Sequence, residues 1–119
     1  MIIALLVAAA VFVTTIPFSL SAMDRLIRRE HDAHRGDWER DGRPIGSFFL
    51  PPEARALRSR FAFYFCTLVW LFSTPQWVRA DPAAAVLLRR LRWSTFLGNA
   101  AALVLLYVLW RFVVATSFA

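Results

Sequence analysis

Residues 95–115, TFLGNAAALVLLYVLWRFVVA, carry one charged side chain, Arg111, near the end of the run. As a helix rising about 1.5 Å per residue, the stretch covers roughly 30 Å, the thickness of a bilayer's hydrocarbon core. Trp93 and Trp110 stand near its two ends, where amphipathic rings prefer the headgroup layer. Arg89, Arg90 and Arg92 crowd the near side. The pattern predicts a transmembrane helix over 94–115, with these three arginines at lipid headgroups on the cytoplasmic side. Every other part of the chain has to be arranged around it.

Residues 1–22, MIIALLVAAAVFVTTIPFSLSA, have no charged side chain and are also long enough to span. A secretory signal is the competing reading, because Leu20-Ser21-Ala22 resembles a small-residue cleavage site. The missing basic n-region argues against it, so a first transmembrane helix is expected over 2–22. Composition agrees. The chain is 59% hydrophobic with 11 Phe and 5 Trp in 119 residues, more than a soluble domain of this size buries. All 14 basic side chains are Arg. Guanidinium suits bidentate contact with phosphate and carboxylate, and an Arg-only, Ala-rich composition equally suits a GC-rich bacterial genome. The formal charge of +6 fits a basic cytoplasmic face, with no nucleic-acid module in view.

Between the runs lies a polar centre, expected as a charged cytoplasmic helix and a Pro/Gly loop over 23–54. Residues 24–43 hold six Arg and six acids, so the segment is laced with salt bridges and has no net charge. Its first half continues the helix, with Asp24 and Arg28 one turn apart as a supporting pair. Gly36 and Asp41-Gly42 signal turns. Trp38 stands alone among these polar residues, as an interfacial anchor or as a docking side chain. Residues 43–52, RPIGSFFLPP, form an irregular loop whose apolar tip, Phe48 to Leu50, dips into the membrane surface or fills a pocket on another subunit.

Residues 61–78, FAFYFCTLVWLFSTPQWV, are marginal for spanning. If they spanned, the loop carrying Arg79, Arg89, Arg90 and Arg92 would lie outside, against the positive-inside rule. If they do not, thirteen of the 14 Arg stay inside. Two spans are therefore expected, with an aromatic interfacial or re-entrant helix over about 55–78. Asp81-Pro82 then starts a helix that runs into the final span. The predicted fold is an all-α membrane protein. Its parts are a first span (1–22), the charged region (23–54), aromatic and Arg-rich interfacial helices (55–93) and the last span (94–119). The middle region is cytoplasmic, and both termini are periplasmic, in a bacterial inner membrane.

Little in the chain points to catalysis. His31 and His34, three apart on a helix, could share a metal with a nearby carboxylate, but no HExxH, CxxC or third ligand accompanies them. Ser47 lacks the surroundings of a nucleophile, and Cys66 sits among apolar residues that keep a thiol inert. Neither span contains His, Asp, Glu or Lys. Axial ligation of haem or chlorin within the spans and an acid proton relay both lack their side chains. The spans offer packing instead. Ser94, Gly98 and Ala102 place small side chains on one face of the last helix, as Ala4 and Ala8 do in the first, and Asn99 can hydrogen-bond across such a face. Gly98 and its neighbours meet either the first helix or another protein, while Leu103, Leu106, Tyr107 and Trp110 face lipid or a cofactor's tail.

The layout resembles the universal stress protein B family of small bacterial inner-membrane proteins. The likeness lies in an N-terminal span, a middle with Ser47-Phe48-Phe49, an aromatic stretch, and Leu88-Arg89-Arg90-Leu91-Arg92 leading into a span that ends near Trp110. The resemblance implies a two-span membrane protein without an assigned reaction, and it assigns no catalytic residue. The residues themselves lead to a non-catalytic accessory subunit of a larger bacterial membrane complex, respiratory or photosynthetic. Its partner contacts are Gly98, Asn99, Ala102, Trp38, Phe48 and Phe49. It would hold no cofactor of its own, would bind lipids, and would touch a partner's pigment or haem at most. The alternatives are a free-standing, homo-oligomeric stress or envelope protein and, further off, a small pore, which needs 61–78 to span.

Overall fold

The computed structural model describes residues 1–54 and 56–118. Among these residues five helices follow one another: α1 (Ile2–Ala33), α2 (Arg35–Arg40), α3 (Leu57–Phe72), α4 (Gln76–Arg79) and α5 (Pro82–Ser117). No strand occurs among the described residues. Two of these helices, α1 and α5, are long and apolar enough to cross a membrane.

The long helices exceed what a bilayer requires. With 32 and 36 residues they reach about 48 and 54 Å, against roughly 30 Å of hydrocarbon. They lie antiparallel as a hairpin, since Thr15 meets Gly98, Ser19 meets Ser94 and Arg29 meets Asp81. Their polar ends, roughly 23–33 and 82–93, project past the apolar runs and form two walls of a small cap. The remaining helices pack there, and the molecule measures 60 × 30 × 21 Å.

Local sequence explains each boundary. The Asp81 side chain accepts the Ala84 N–H at the start of α5, and Pro82 takes a first-turn position where its missing N–H costs nothing. The expected aromatic helix over 55–78 is divided. α3 ends at Phe72, Ser73 is extended, and Pro75 begins the separate turn of α4. Gly42, at φ +93°, closes α2 in the left-handed region, and a Cβ there would stand 3.2 Å from that of Ala62.

The core sits in the cap rather than between the apolar runs. Met23, Leu26 and Ile27 of α1 recur at helical spacing and bury against Leu88 and Leu91 of α5. Trp38, Trp70, Trp77 and Val78 close the space between them. Trp38 is 0% exposed, and its indole N–H donates to the Pro44 carbonyl at 3.0 Å. It therefore forms the interior of the cap, and neither the interfacial nor the docking role expected for it fits this position. Truncating a buried Trp of this kind costs about 3–5 kcal/mol, which marks Trp38 as a determinant of the fold.

Candidate functional site

Three groups of polar side chains converge on the cap. The first is centred on Asp81, 6% exposed at the mouth of the hairpin. Arg29 reaches it from α1 in a two-pronged contact, Nε to Oδ2 at 2.8 Å and Nη2 to Oδ1 at 3.3 Å. The His34 Nε2, at 2.9 Å from Oδ2, carries the proton because an ionised carboxylate only accepts. Hydrogen bonds from Arg29 hold Asp81 well below the usual carboxylate range, against the opposing effect of burial and with help from His34 and the Ala84 N–H. A folded pKa below the unfolded one gives stability that is present above the ordinary Asp value and lost as pH falls through the folded value. Asp81→Ala removes the cap of α5 and the acceptor that Arg29 and His34 share. We expect about 1–2 kcal/mol of destabilisation at pH 7 and a smaller difference from the parent chain at pH 3, read from thermal melts in detergent.

Next to this network lies Glu30, 0% exposed, with neither carboxyl oxygen hydrogen-bonded among the described residues. Burial pushes its pKa up to about 10, and Asp41 and Asp37 act in the same direction while the Trp77 indole opposes them. Glu30 is therefore a neutral acid at pH 7. It continues the buried stripe of Met23, Leu26 and Ile27, a helical spacing that sets it apart from its solvated neighbours.

The third group holds loops and helix ends. Asp24 accepts the N–H groups of Phe48 at 3.0 Å and Phe49 at 2.8 Å, tying the Pro/Gly loop to α1. The pair with Arg28 forms at 3.8 Å, and that guanidinium also covers the Phe49 ring, 5.1 Å from its centroid. Arg92 closes the carboxyl end of α3, where Nε and Nη2 donate to the Trp70 carbonyl at 3.0 and 2.9 Å and Nη2 reaches the Thr74 hydroxyl.

The other expected contact residues take varied positions. Gly98 is buried against Thr15, inside the hairpin. Asn99 is exposed and donates to the Thr95 carbonyl of its own helix, and Ala102 is half-buried. In α5 Ala101 joins Gly98 as a buried small residue of the seam, and in α1 Ala8 is buried, with Ala4 exposed. Phe48 is exposed, whereas Phe49 is half-buried beside His31. Arg89 and Arg90 are exposed.

No protein-family model, curated protein or solved structure matches this chain.

The chemistry of the cap must therefore be read from its geometry alone. His31 and His34 take different partners. His31 faces Asp32 at 2.8 Å and packs edge-on against Trp38, whereas His34 is held by Asp81 and stacks near Trp77. Among the described residues no three His, Cys, Asp or Glu side chains gather as a metal-binding set. Cys66 is buried, and its thiol pKa is pushed up to about 12 by burial, reinforced by Asp41 and Glu30. What the arrangement does is fix helix ends and a loop onto the mouth of the hairpin.

One feature has no structural use within the chain. α3 turns Ser59, Ala62, Cys66 and Trp70 inward. Its opposite stripe, Phe61, Tyr64, Phe65, Leu68 and Phe72, is between 61 and 73% exposed. Only its end meets a long helix, where the Phe72 ring stands edge-on to Phe96 of α5, centroids 6.2 Å apart.

Proposed function

We propose that this chain is a non-catalytic accessory subunit of a larger bacterial membrane complex. It inserts as a two-helix hairpin, with both ends periplasmic and the cap on the cytoplasmic side. The observation that carries this reading is the aromatic stripe of α3. Five large side chains left 61 to 73% exposed on one face are more than an isolated soluble surface tolerates, and such patches belong at protein or membrane interfaces. Thirteen of the 14 Arg fall between the two apolar runs, which supports the cytoplasmic assignment. The structural use of Asp81, Asp24 and Arg92 favours a scaffold over an enzyme. A respiratory or photosynthetic host, where the stripe touches a pigment- or haem-bearing subunit, is the natural setting.

A free-standing homo-oligomer, the reading closest to the universal stress protein B resemblance, has less support. The close-approach glycine it would use, Gly98, is already taken by Thr15 of the same chain.

The test is purification of the tagged chain in mild detergent, with mass spectrometry and an absorption spectrum of the eluate. A stoichiometric larger assembly is expected, and Phe61→Asp/Phe65→Asp should abolish it while the chain stays in the membrane fraction. A homo-oligomer carrying only lipid, or an assembly indifferent to that double substitution, would reject the reading.

A further inference from the structure

Five arginines of the cap have an acid to answer them. Arg28 has Asp24, Arg29 has Asp81, Arg35 has Glu53, Arg40 has Asp37 and Arg43 has Glu39. Arg79 and Arg89 are exposed and pair with no acid among the described residues. Both line one cavity of about 430 Å³ where α4 and Thr74 meet α5. Arg92 joins them there, its guanidinium held by the Trp70 carbonyl and the Thr74 hydroxyl. The nearest candidate counter-charge, Asp81, is already taken by Arg29 and His34. Three cations thus share a cavity without an anion.

The other wall of the cavity is apolar. It includes Leu88, Trp93 and Phe96, so the space leads from the arginines onto the beginning of the apolar run of α5. A free inorganic anion would use the arginines and leave this wall bare. A phospholipid uses both, with the phosphodiester among the guanidiniums and an acyl chain along Trp93 and Phe96. Arg25 and Arg90 flank a second cavity beyond Trp93, but no hydrogen bond among the described residues holds either guanidinium in place. Arg92 supplies a pre-positioned cation only on the first side.

We propose that the cavity between α4, Thr74 and α5 binds one anionic phospholipid of the cytoplasmic leaflet, its phosphate held by Arg79, Arg89 and Arg92. The site rests on the membrane-inserted hairpin proposed above. It gives the three arginines a common task, and it fixes the depth of the hairpin in the bilayer by anchoring the start of the α5 span at the headgroup layer.

The experiment is native mass spectrometry of the full chain from mild detergent, with dioleoylphosphatidylglycerol or dioleoylphosphatidylcholine at equal mole fraction. One phosphatidylglycerol should be retained in preference to phosphatidylcholine. Arg79→Gln/Arg89→Gln should weaken that retention roughly tenfold or more, given the usual contribution of each arginine near a lipid surface. Arg58→Gln/Arg60→Gln, which removes the same charge from the far end of α3, should leave it intact. Equal retention of the two lipids would overturn the site, as would an equal loss in the Arg58/Arg60 variant. Full competition by glycerophosphoglycerol without acyl chains would reject the lipid in favour of a simple anion. Should the double variant fail to fold, Arg89→Gln alone is expected to show the same preference for the site over the control. A chain that resists alkaline carbonate extraction yet retains no phosphatidylglycerol sinks the lipid site alone. One released by carbonate sinks the hairpin reading beneath it.

Discussion

Gly98→Leu is expected to force the two long helices apart and to lower thermal stability in detergent by about 1–3 kcal/mol or more. The reason is local and quantitative. A Cβ at position 98 would lie 2.6 Å from the Thr15 hydroxyl oxygen and 3.3 Å from its Cβ. Thr15 is itself buried, and its hydroxyl already donates to the Phe12 carbonyl at 2.9 Å. A leucine adds three further carbons to a space that does not hold the first. One turn away, the Ser19 hydroxyl donates to that of Ser94 at 2.7 Å, a bond that separation of the helices would break. Gly98→Ala should destabilise less, even though alanine is the better helix former by roughly 1 kcal/mol. Thr15→Ala should relieve much of that loss by removing the oxygen at 2.6 Å, so the two substitutions should couple in a double-mutant cycle. An unchanged melting temperature for Gly98→Leu would mean that the hairpin seam is not where the structure has it.

The second large effect concerns Glu30. Its pKa of about 10 in the fold exceeds that of an unfolded glutamate, about 4.3, so between these limits the folded chain holds one more proton than the unfolded chain. The stabilising contribution is complete below the lower limit and is lost as pH rises through the folded value, with a slope of up to about 1.4 kcal/mol per pH unit. Thermal melts between pH 6 and pH 9 should therefore show stability falling with pH. Glu30→Gln copies the neutral acid in size and polarity, so it should fold at pH 7 and remove that part of the slope. Subtracting its profile from that of the parent chain cancels the titration of the histidines and other shared groups. Identical slopes would show that Glu30 is ionised inside the cap.

The sequence discloses the large features for simple reasons. A span of apolar residues needs only its length and its lack of charge to be recognised, which is why α1 and α5 were expected where they lie. Asp81-Pro82 announced the start of α5 through local capping chemistry, and Ser73 to Pro75 accounts for the break in the aromatic segment. Trp38 was harder. Its neighbours in sequence are polar, and the return of the loop at Pro44 onto its indole is a contact that no local pattern encodes. Glu30 was obscured by its charge-balanced surroundings, where an acid is normally read as solvated. The three arginines of the lipid cavity were half legible. Arg89 and Arg92 declared themselves by their place before a span, whereas Arg79 enters only because α4 folds back onto α5.

The hairpin seam has a consequence in time. The Ser19–Ser94 bond joins residues 75 apart, and ribosomes add about 5–20 residues per second. Several seconds therefore pass between synthesis of the first long helix and arrival of its mate. Throughout that interval α1 must persist as a solitary helix. Its hydroxyls are suited to the wait, because Thr14 bonds the Ala10 carbonyl at 2.6 Å and Thr15 that of Phe12, both within the same helix. Ser19 alone depends on a partner that has yet to be made.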